Sequence, residues 1–308
     1  MRLTDDQLRF FETQGYLVVE NVLGDDVLAP VRAEYDALLD RMMDGWGMAR
    51  EGDFAEKVVS AYEAGHDWFQ PMDISLPGDR IEADTPMHIG PAVFDMITAP
   101  ALLDMVEDLI GPELTSNPIQ HVRIKPPERK LLTGEIRAHV GGTDWHQDRA
   151  VALEEADQTR MVTVWLAVTD ATVENGCLQV VPGRADLLPH CPQRQTSIAK
   201  GFVDTDLAVP LPVKAGGAVI FHPMTPHASL ANVSDSIRWS FDLRYNVTGD
   251  PTGRGHFPEF VARSRQTPAS ELRDWREWKR MWDDARARLA AAPHIDLHRW
   301  SADAPVCA

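Results

Sequence analysis

Beyond residue 115 the chain changes period. Runs at 119–125, 161–168, 177–181, 218–222, 227–231 and 236–247 are short, rich in β-formers and read as strands. Turn formers divide them: Glu174-Asn175-Gly176, Pro182-Gly183, Ala215-Gly216-Gly217 and Asn232-Val233-Ser234-Asp235. Many short strands joined by polar turns predict an antiparallel sandwich or barrel.

Helical patterns flank this centre. Thr4 and Gln7 are spaced as a capping box, Leu3 and Leu8 as its hydrophobic staple, and Gly15 supplies the stop. Residues 16–19 read as a strand. After Gly24-Asp25-Asp26 a longer helix carries Leu28, Val31, Tyr35, Leu38, Leu39 and Met42 on one face. Residues 92–110 read as helix broken at Pro100 and ended by Gly111-Pro112. The 45–90 stretch has mixed signals, and 251–268 reads as a loop-like connector. Over 270–291, Leu272, Trp275, Trp278, Trp282, Ala285 and Leu289 recur at helical spacing, which predicts a helix docked on the sheet. The expectation is one domain over 1–308: a mainly helical part to 114, a β core over 115–250, and a connector with an amphipathic helix over 251–308.

A net charge of -17 argues against polyanionic partners, so neither nucleic acid nor an anionic membrane surface is expected. The longest apolar run, about 162–168, is far too short to span a bilayer, and the start Met1-Arg2-Leu3-Thr4-Asp5-Asp6 lacks a signal region. Cys177, Cys191 and Cys307 are odd in number and lack C-x-x-C spacing, which argues against a disulfide framework or structural zinc. A soluble cytoplasmic protein is expected. Oligomeric state is not legible.

The chemistry concentrates in Thr143-Asp144-Trp145-His146-Gln147-Asp148-Arg149. In an extended segment His146 and Asp148 point to the same side, which places an imidazole and a carboxylate on one point. That is two thirds of a common metal site, and a second histidine must come from elsewhere. His227 and His222 are the candidates, and His222 is the poorer because Pro223 follows it at a strand end. If 232–235 is a four-residue hairpin loop, Ser229 pairs with Arg238 and His227 with Ser240, so His227, Ser229 and Arg238 share a face. An arginine on a sheltered face needs an anion, supplied either by Asp242 or by a ligand carboxylate gripped by the guanidinium fork. No basic cluster is evident around the motif.

Taken together, these residues resemble the phytanoyl-CoA dioxygenase family of Fe(II)- and 2-oxoglutarate-dependent oxygenases. The resemblance rests on Leu3-Thr4-Asp5 to Gly15-Tyr16-Leu17-Val18, Lys125-Pro126-Pro127, Trp145-His146-Gln147-Asp148, Asn175-Gly176-Cys177-Leu178 with Pro182-Gly183, and His227-Ala228-Ser229 through Arg238 to Arg244-Tyr245. It covers roughly 3–247 in order. Two departures are Gly183-Arg184-Ala185, where the family often has serine and then histidine, and an insert over 128–144 expected to shape the substrate mouth with the acidic loop Glu154-Glu155-Ala156-Asp157.

The resemblance implies a mostly β fold with flanking helices around a double-stranded β-helix, the jelly-roll or cupin-like core. It implies Fe(II) on His146, Asp148 and His227, with 2-oxoglutarate and O2 as co-reactants. It also implies that Arg238 and Ser229 hold the far carboxylate of 2-oxoglutarate and that Trp165 walls its pocket, with His121 and Lys125 at its border. Strand alternation agrees, putting Met161, Thr163 and Trp165 on one face and Val162, Val164 and Leu166 on the other. The expected reaction is hydroxylation or a related oxidation of a small molecule. The competing readings are a metal-dependent hydrolase and a non-catalytic cupin-like binding protein.

Overall fold

The computed structural model describes residues 1–66, 69–78, 80–128, 141–192, 196–292 and 299–307. In chain order its elements are α1 (Asp5–Gln14), β1 (Tyr16–Val19), α2 (Asp25–Trp46), α3 (Phe54–Glu63), α4 (Phe69–Met72), α5 (Pro91–Ile97), α6 (Pro100–Ile110) and β2 (Glu113–Lys125). There follow α7 (Asp148–Val151), β3 (Met161–Ala167), β4 (Leu178–Val180), β5 (His190–Pro192), β6 (Thr196–Ile198) and β7 (Val209–Leu211). The chain then forms β8 (Ala218–Phe221), β9 (His227–Ser229), β10 (Arg238–Val247), β11 (Phe260–Ser264) and α8 (Trp275–Ala290). No helix among the described residues is long and apolar enough to cross a membrane.

The local signals act as expected at the N-terminus. Thr4 and Gln7 form the reciprocal capping box, and Gly15 closes α1 at φ 74. That glycine also seats the site. Thr225 Oγ1 donates to Gly15 O at 2.9 Å, and a Cβ on Gly15 would lie 2.4 Å from the same hydroxyl. The α1–β1 corner thus braces the loop that leads into β9.

Two antiparallel sheets face each other. The larger runs β1-β8-β3-β10-β2-β11 and the smaller β7-β4-β9, with β5-β6 as a separate ribbon. Central β3 is buried along its whole length because both faces are covered. Val162, Val164 and Leu166 join the core beneath α2, α5, α6 and α8. Trp165 and Ala167 turn the other way, against Leu178, Val180, Leu211, Val219 and Phe221 between the sheets. Burying one large aliphatic side chain contributes roughly 1.5–3 kcal/mol, so this two-sided core dominates the stability of the frame. In α8, Trp278 and Trp282 are buried against Phe94, Phe260 and Phe257, as its stripe predicts.

Three expectations are corrected. The 227–247 region is not a hairpin: β9 pairs with β4 (Leu178↔Ser229, Val180↔His227), whereas β10 pairs with β2 and β3. Asn232 causes the break. Its Nδ2 donates to Lys125 O and Ser236 O at 2.9 and 2.8 Å, and its Oδ1 accepts from Ser234 N, so the chain crosses from one sheet to the other. Second, the supposed connector contains β11, which pairs with the start of β2. Third, Cys191 and Cys307 form a disulfide across a separation of 116 residues, leaving Cys177 buried and free.

The disulfide holds a C-terminal strap on the far side of the motif. Trp300 Nε1 donates to Ala150 O at 2.8 Å and its ring stacks on His190 at 5.3 Å, while Arg299 pairs with Asp157. Spacing was uninformative because the partners meet only when this strap docks. Cys307→Ser is expected to cost about 2–4 kcal/mol, read as a lower denaturant midpoint with a larger m-value, because the uncrosslinked chain unfolds to a more expanded state. A midpoint equal to that of the parent under non-reducing conditions would refute this contribution.

Candidate active site

His146 is brought to His227 by an isolated antiparallel bridge, with N–H to O distances of 2.9 and 3.0 Å in the two directions. Gln147 is extended (φ -117, ψ 135) and Asp148 opens α7, so the two-residue spacing projects both ligand-type side chains inward. His146 Nε2 lies 3.8 Å and His227 Nε2 3.9 Å from Asp148 Oδ1. The ligand atoms of all three lie within 4.8 Å of one another.

The outer nitrogens decide the tautomer. His146 Nδ1 meets Asp144 O at 2.8 Å and His227 Nδ1 meets Thr225 O at 3.0 Å. A carbonyl only accepts, so each Nδ1 carries the hydrogen and each Nε2 lone pair is free to face inward. Burial, reinforced by neighbouring His227, pushes His146 down to about 3, which keeps its ring neutral. Burial alone would raise the Asp148 carboxyl, but Arg244, His227 and His146 override it and hold the group well below the usual carboxylate range. Two imidazoles that turn Nε2 inward and one carboxylate fit a divalent transition metal.

Gln147 ties the motif to its surroundings. Its backbone N–H donates to His190 Nε2 at 3.0 Å, and its side chain donates to Asp186 O and Met224 O at 3.0 and 2.7 Å. It also accepts from Leu188 N at 2.8 Å. His190 is fully buried and pushed down to about 4 by that burial, so it remains a neutral acceptor. Sequence reasoning passed over both residues, since a glutamine inside a motif and an isolated histidine carry no spacing signal. His222 is excluded from the cluster: it lies past β8, and its Nδ1 accepts from Met224 N at 3.2 Å.

Next to the triad stand two buried cations. Arg238 and Lys125, each 1% exposed, are directly opposed on β10 and β2. Lys125 Nζ donates to Thr143 Oγ1 at 3.1 Å and to Ser229 Oγ. Arg238 donates to Ser240 Oγ at 2.6 Å and lies 5.1 Å over the Trp165 ring, with its Nε unbonded. Asp242, the protein anion considered for Arg238, instead pairs with Arg123 at 2.9 Å. Among the described residues no carboxylate is within ion-pairing distance of Lys125 or Arg238. Burial, then Arg238 and Arg123, hold the Lys125 ammonium well below its ordinary range, and burial brings Arg238 to about 10.

The predicted patch therefore exists, but it is built differently. His227 and Ser229 come from the small sheet and Arg238, Lys125 and Trp165 from the large one, facing across the sandwich. His121 lies four residues before Lys125 on β2, its Nδ1 bonded to Asp73 at 2.8 Å. Ser240, Thr143, Thr163 and Arg244 are named in the sequence patterns but carry no site role there. For Ser240 and Arg244 a signal existed, since both are an even number of residues from Arg238 on one strand. The acidic loop supplies Asp157 to the C-terminal strap. Most of the insert expected at the mouth, 129–140, lies outside the described residues.

Comparison with known proteins agrees with this architecture. The model of the phytanoyl-CoA dioxygenase (PhyH) family matches residues 11–240, and the chain belongs to that family. It is an enzyme, a 2-oxoglutarate-dependent dioxygenase whose cofactors are iron and 2-oxoglutarate. A probable phytanoyl-CoA dioxygenase of Caenorhabditis elegans is 28% identical over 255 residues, covering 79% of this chain and 75% of that protein. The peroxisomal phytanoyl-CoA dioxygenase of Homo sapiens is 25% identical, covering 79% and 68%. Among solved structures, the non-haem monooxygenase ThoJ superposes with a TM-score of 0.62 at 23% identity, over 92% of this chain and 97% of that one. The epimerase SnoN, solved with Fe3+, α-ketoglutarate and a nogalamycin compound, gives 0.52 at 21% identity over 81% and 86%. These structures share the double-stranded β-helix core.

Proposed function

We propose that this protein hydroxylates an unactivated C–H bond of a small-molecule metabolite, with His146, Asp148 and His227 as iron ligands. Arg238, Lys125 and Ser229 receive the far carboxylate of 2-oxoglutarate, Trp165 walls its pocket, and His121, locked on Asp73, stands at its border. The observation that carries this reading is a buried guanidinium and a buried lysine that, among the described residues, meet no carboxylate, set beside a triad of metal-ligand type. An unpaired buried charge is costly, and a dicarboxylic cosubstrate relieves it on binding. Bound there, iron with 2-oxoglutarate and O2 supplies the oxidising chemistry, the cosubstrate leaving as succinate and CO2.

The chain's own residues do the rest. Backbone carbonyls of Asp144 and Thr225 orient the imidazoles, and Gln147 fixes the motif to the β8–β9 loop. The sandwich interior excludes water from the oxidising site. A filled Asp148 position favours hydroxylation over halogenation, which needs that ligand position vacant. We infer a single domain. The acidity of the chain, with net charge -17, supports a metabolite or natural-product intermediate over an acyl-CoA, and no nucleic-acid or membrane partner.

Anaerobic titration with Fe(II) and then 2-oxoglutarate is expected to produce a weak visible charge-transfer band, and His227→Ala to lose it. If iron binds but no band forms, 2-oxoglutarate does not chelate the metal and the hydrolase reading takes over. Substrate-triggered succinate release separates an oxygenase from a binding protein.

A further inference from the structure

The carboxylate of the triad is itself gripped from below. Asp148 is 1% exposed, and its two oxygens have different partners. Oδ1 faces both imidazoles and also accepts from Arg244 Nη2, while Oδ2 accepts from Thr163 Oγ1. Arg244 and Thr163 are directly opposed on β10 and β3, so one cross-strand pair on the sheet's inner face supplies both donors. The β10–β2 register shifts between Asp242 and Arg244, immediately before this pair. Arg244 is steadied by a second donation, from Nη1 to Ile119 O at 3.3 Å, and is itself buried. Among the described residues Asp148 is the carboxylate within ion-pairing distance of it.

Resting on the metal-site reading above, we infer that Arg244 and Thr163 are positioning residues that hold Asp148 as a one-oxygen ligand. Thr163 occupies Oδ2 and thereby keeps it from rotating onto the metal. Arg244 takes one lone pair of Oδ1 and leaves the other directed between His146 and His227. A carboxylate held through one oxygen uses one coordination position, and the positions needed by cosubstrate and O2 stay open. A carboxylate released to chelate through both oxygens would take one of them.

The test compares anaerobic Fe(II) affinity and the Fe(II)·2-oxoglutarate charge-transfer band across Thr163→Val, Thr163→Ser, Arg244→Met and Arg244→Lys. Partners of metal ligands typically contribute 10–100-fold in affinity or activity. Thr163→Val is therefore expected to weaken Fe(II) binding about 10-fold and to shift the band, with Thr163→Ser restoring both. Arg244→Met should lose at least as much, and Arg244→Lys should recover part. Since Arg244→Met strands a buried carboxylate and could unfold the chain, Thr163→Val, which leaves the charges in place, carries the decision. Fe(II) affinity within twofold of the parent and an unmoved band in Thr163→Val overturn the inference, provided that Asp148→Ala loses iron. If Asp148→Ala itself binds iron as the parent does, the metal-site reading fails instead.

Discussion

Arg238→Met is expected to raise the half-saturating 2-oxoglutarate concentration by about 100-fold or more while leaving the folded protein as stable as the parent. The first effect follows from removing one partner of a buried, hydrogen-bonded charge pair, which costs about 2–5 kcal/mol, and ~2.7 kcal/mol is already 100-fold. The second follows because no carboxylate among the described residues pairs with Arg238: its guanidinium is buried, bonded to Ser240 and placed over Trp165, with Nε unsatisfied. Replacing such a group by an apolar chain of similar volume removes a desolvation penalty that offsets the one hydrogen bond lost at the Ser240 hydroxyl, and it strands no carboxylate among the described residues. Arg238→Lys is not a conservative change, because the ammonium lacks the planar fork and would sit against Lys125. Titration of the charge-transfer band measures the first effect and thermal melting of the apo-protein the second. A half-saturation within twofold of the parent would remove Arg238 from the cosubstrate pocket. A large fall in Tm would show that the arginine serves the fold.

Asp148→Gly is expected to abolish hydroxylation, with turnover falling by more than the ~100-fold that outer-shell losses cause. The same substitution should also destabilise the metal-free protein. Arg244 would lose its ion-pair partner and remain a buried cation, a change that costs about 3–5 kcal/mol. Adding Arg244→Met should restore much of that stability without restoring turnover. The double-mutant cycle thus separates the carboxylate's role in the fold from its role at the metal. Full turnover in Asp148→Gly would remove this residue from the ligand set.

Much of this frame was legible because it depends on short-range pattern. The capping box at Thr4, the stop at Gly15, the alternation of 161–167 and the stripe of 275–290 are each written within one element. The pair His146 and Asp148 was legible for the same reason, since two residues in an extended segment share a side whatever the fold. The assumed hairpin at 232–235 was the reverse case. The face shared by His227, Ser229 and Arg238 was reached through a pairing that does not exist, because the turn residues also suit a crossing between sheets.

The electrostatics were least visible. The charge of -17 describes the whole chain, yet the folded interior gathers Lys125, Arg238 and Arg244, with the partly buried Arg123 beside them, from two neighbouring strands. No window of sequence contains that cluster. Cys191 and Cys307 were likewise set aside on spacing, and only docking of the C-terminal strap on the motif segment joins them.

By itself the sequence determined the element types, the two-sided β3 and the local half of the metal site, since these follow from periods of two and 3.6 residues and from turn chemistry. The tertiary structure decided which sheet each strand entered, which histidine completed the triad, and which buried charges met no carboxylate among the described residues. Those outcomes depend on contacts between residues far apart in the chain, where burial sets the energy and linear spacing carries no information.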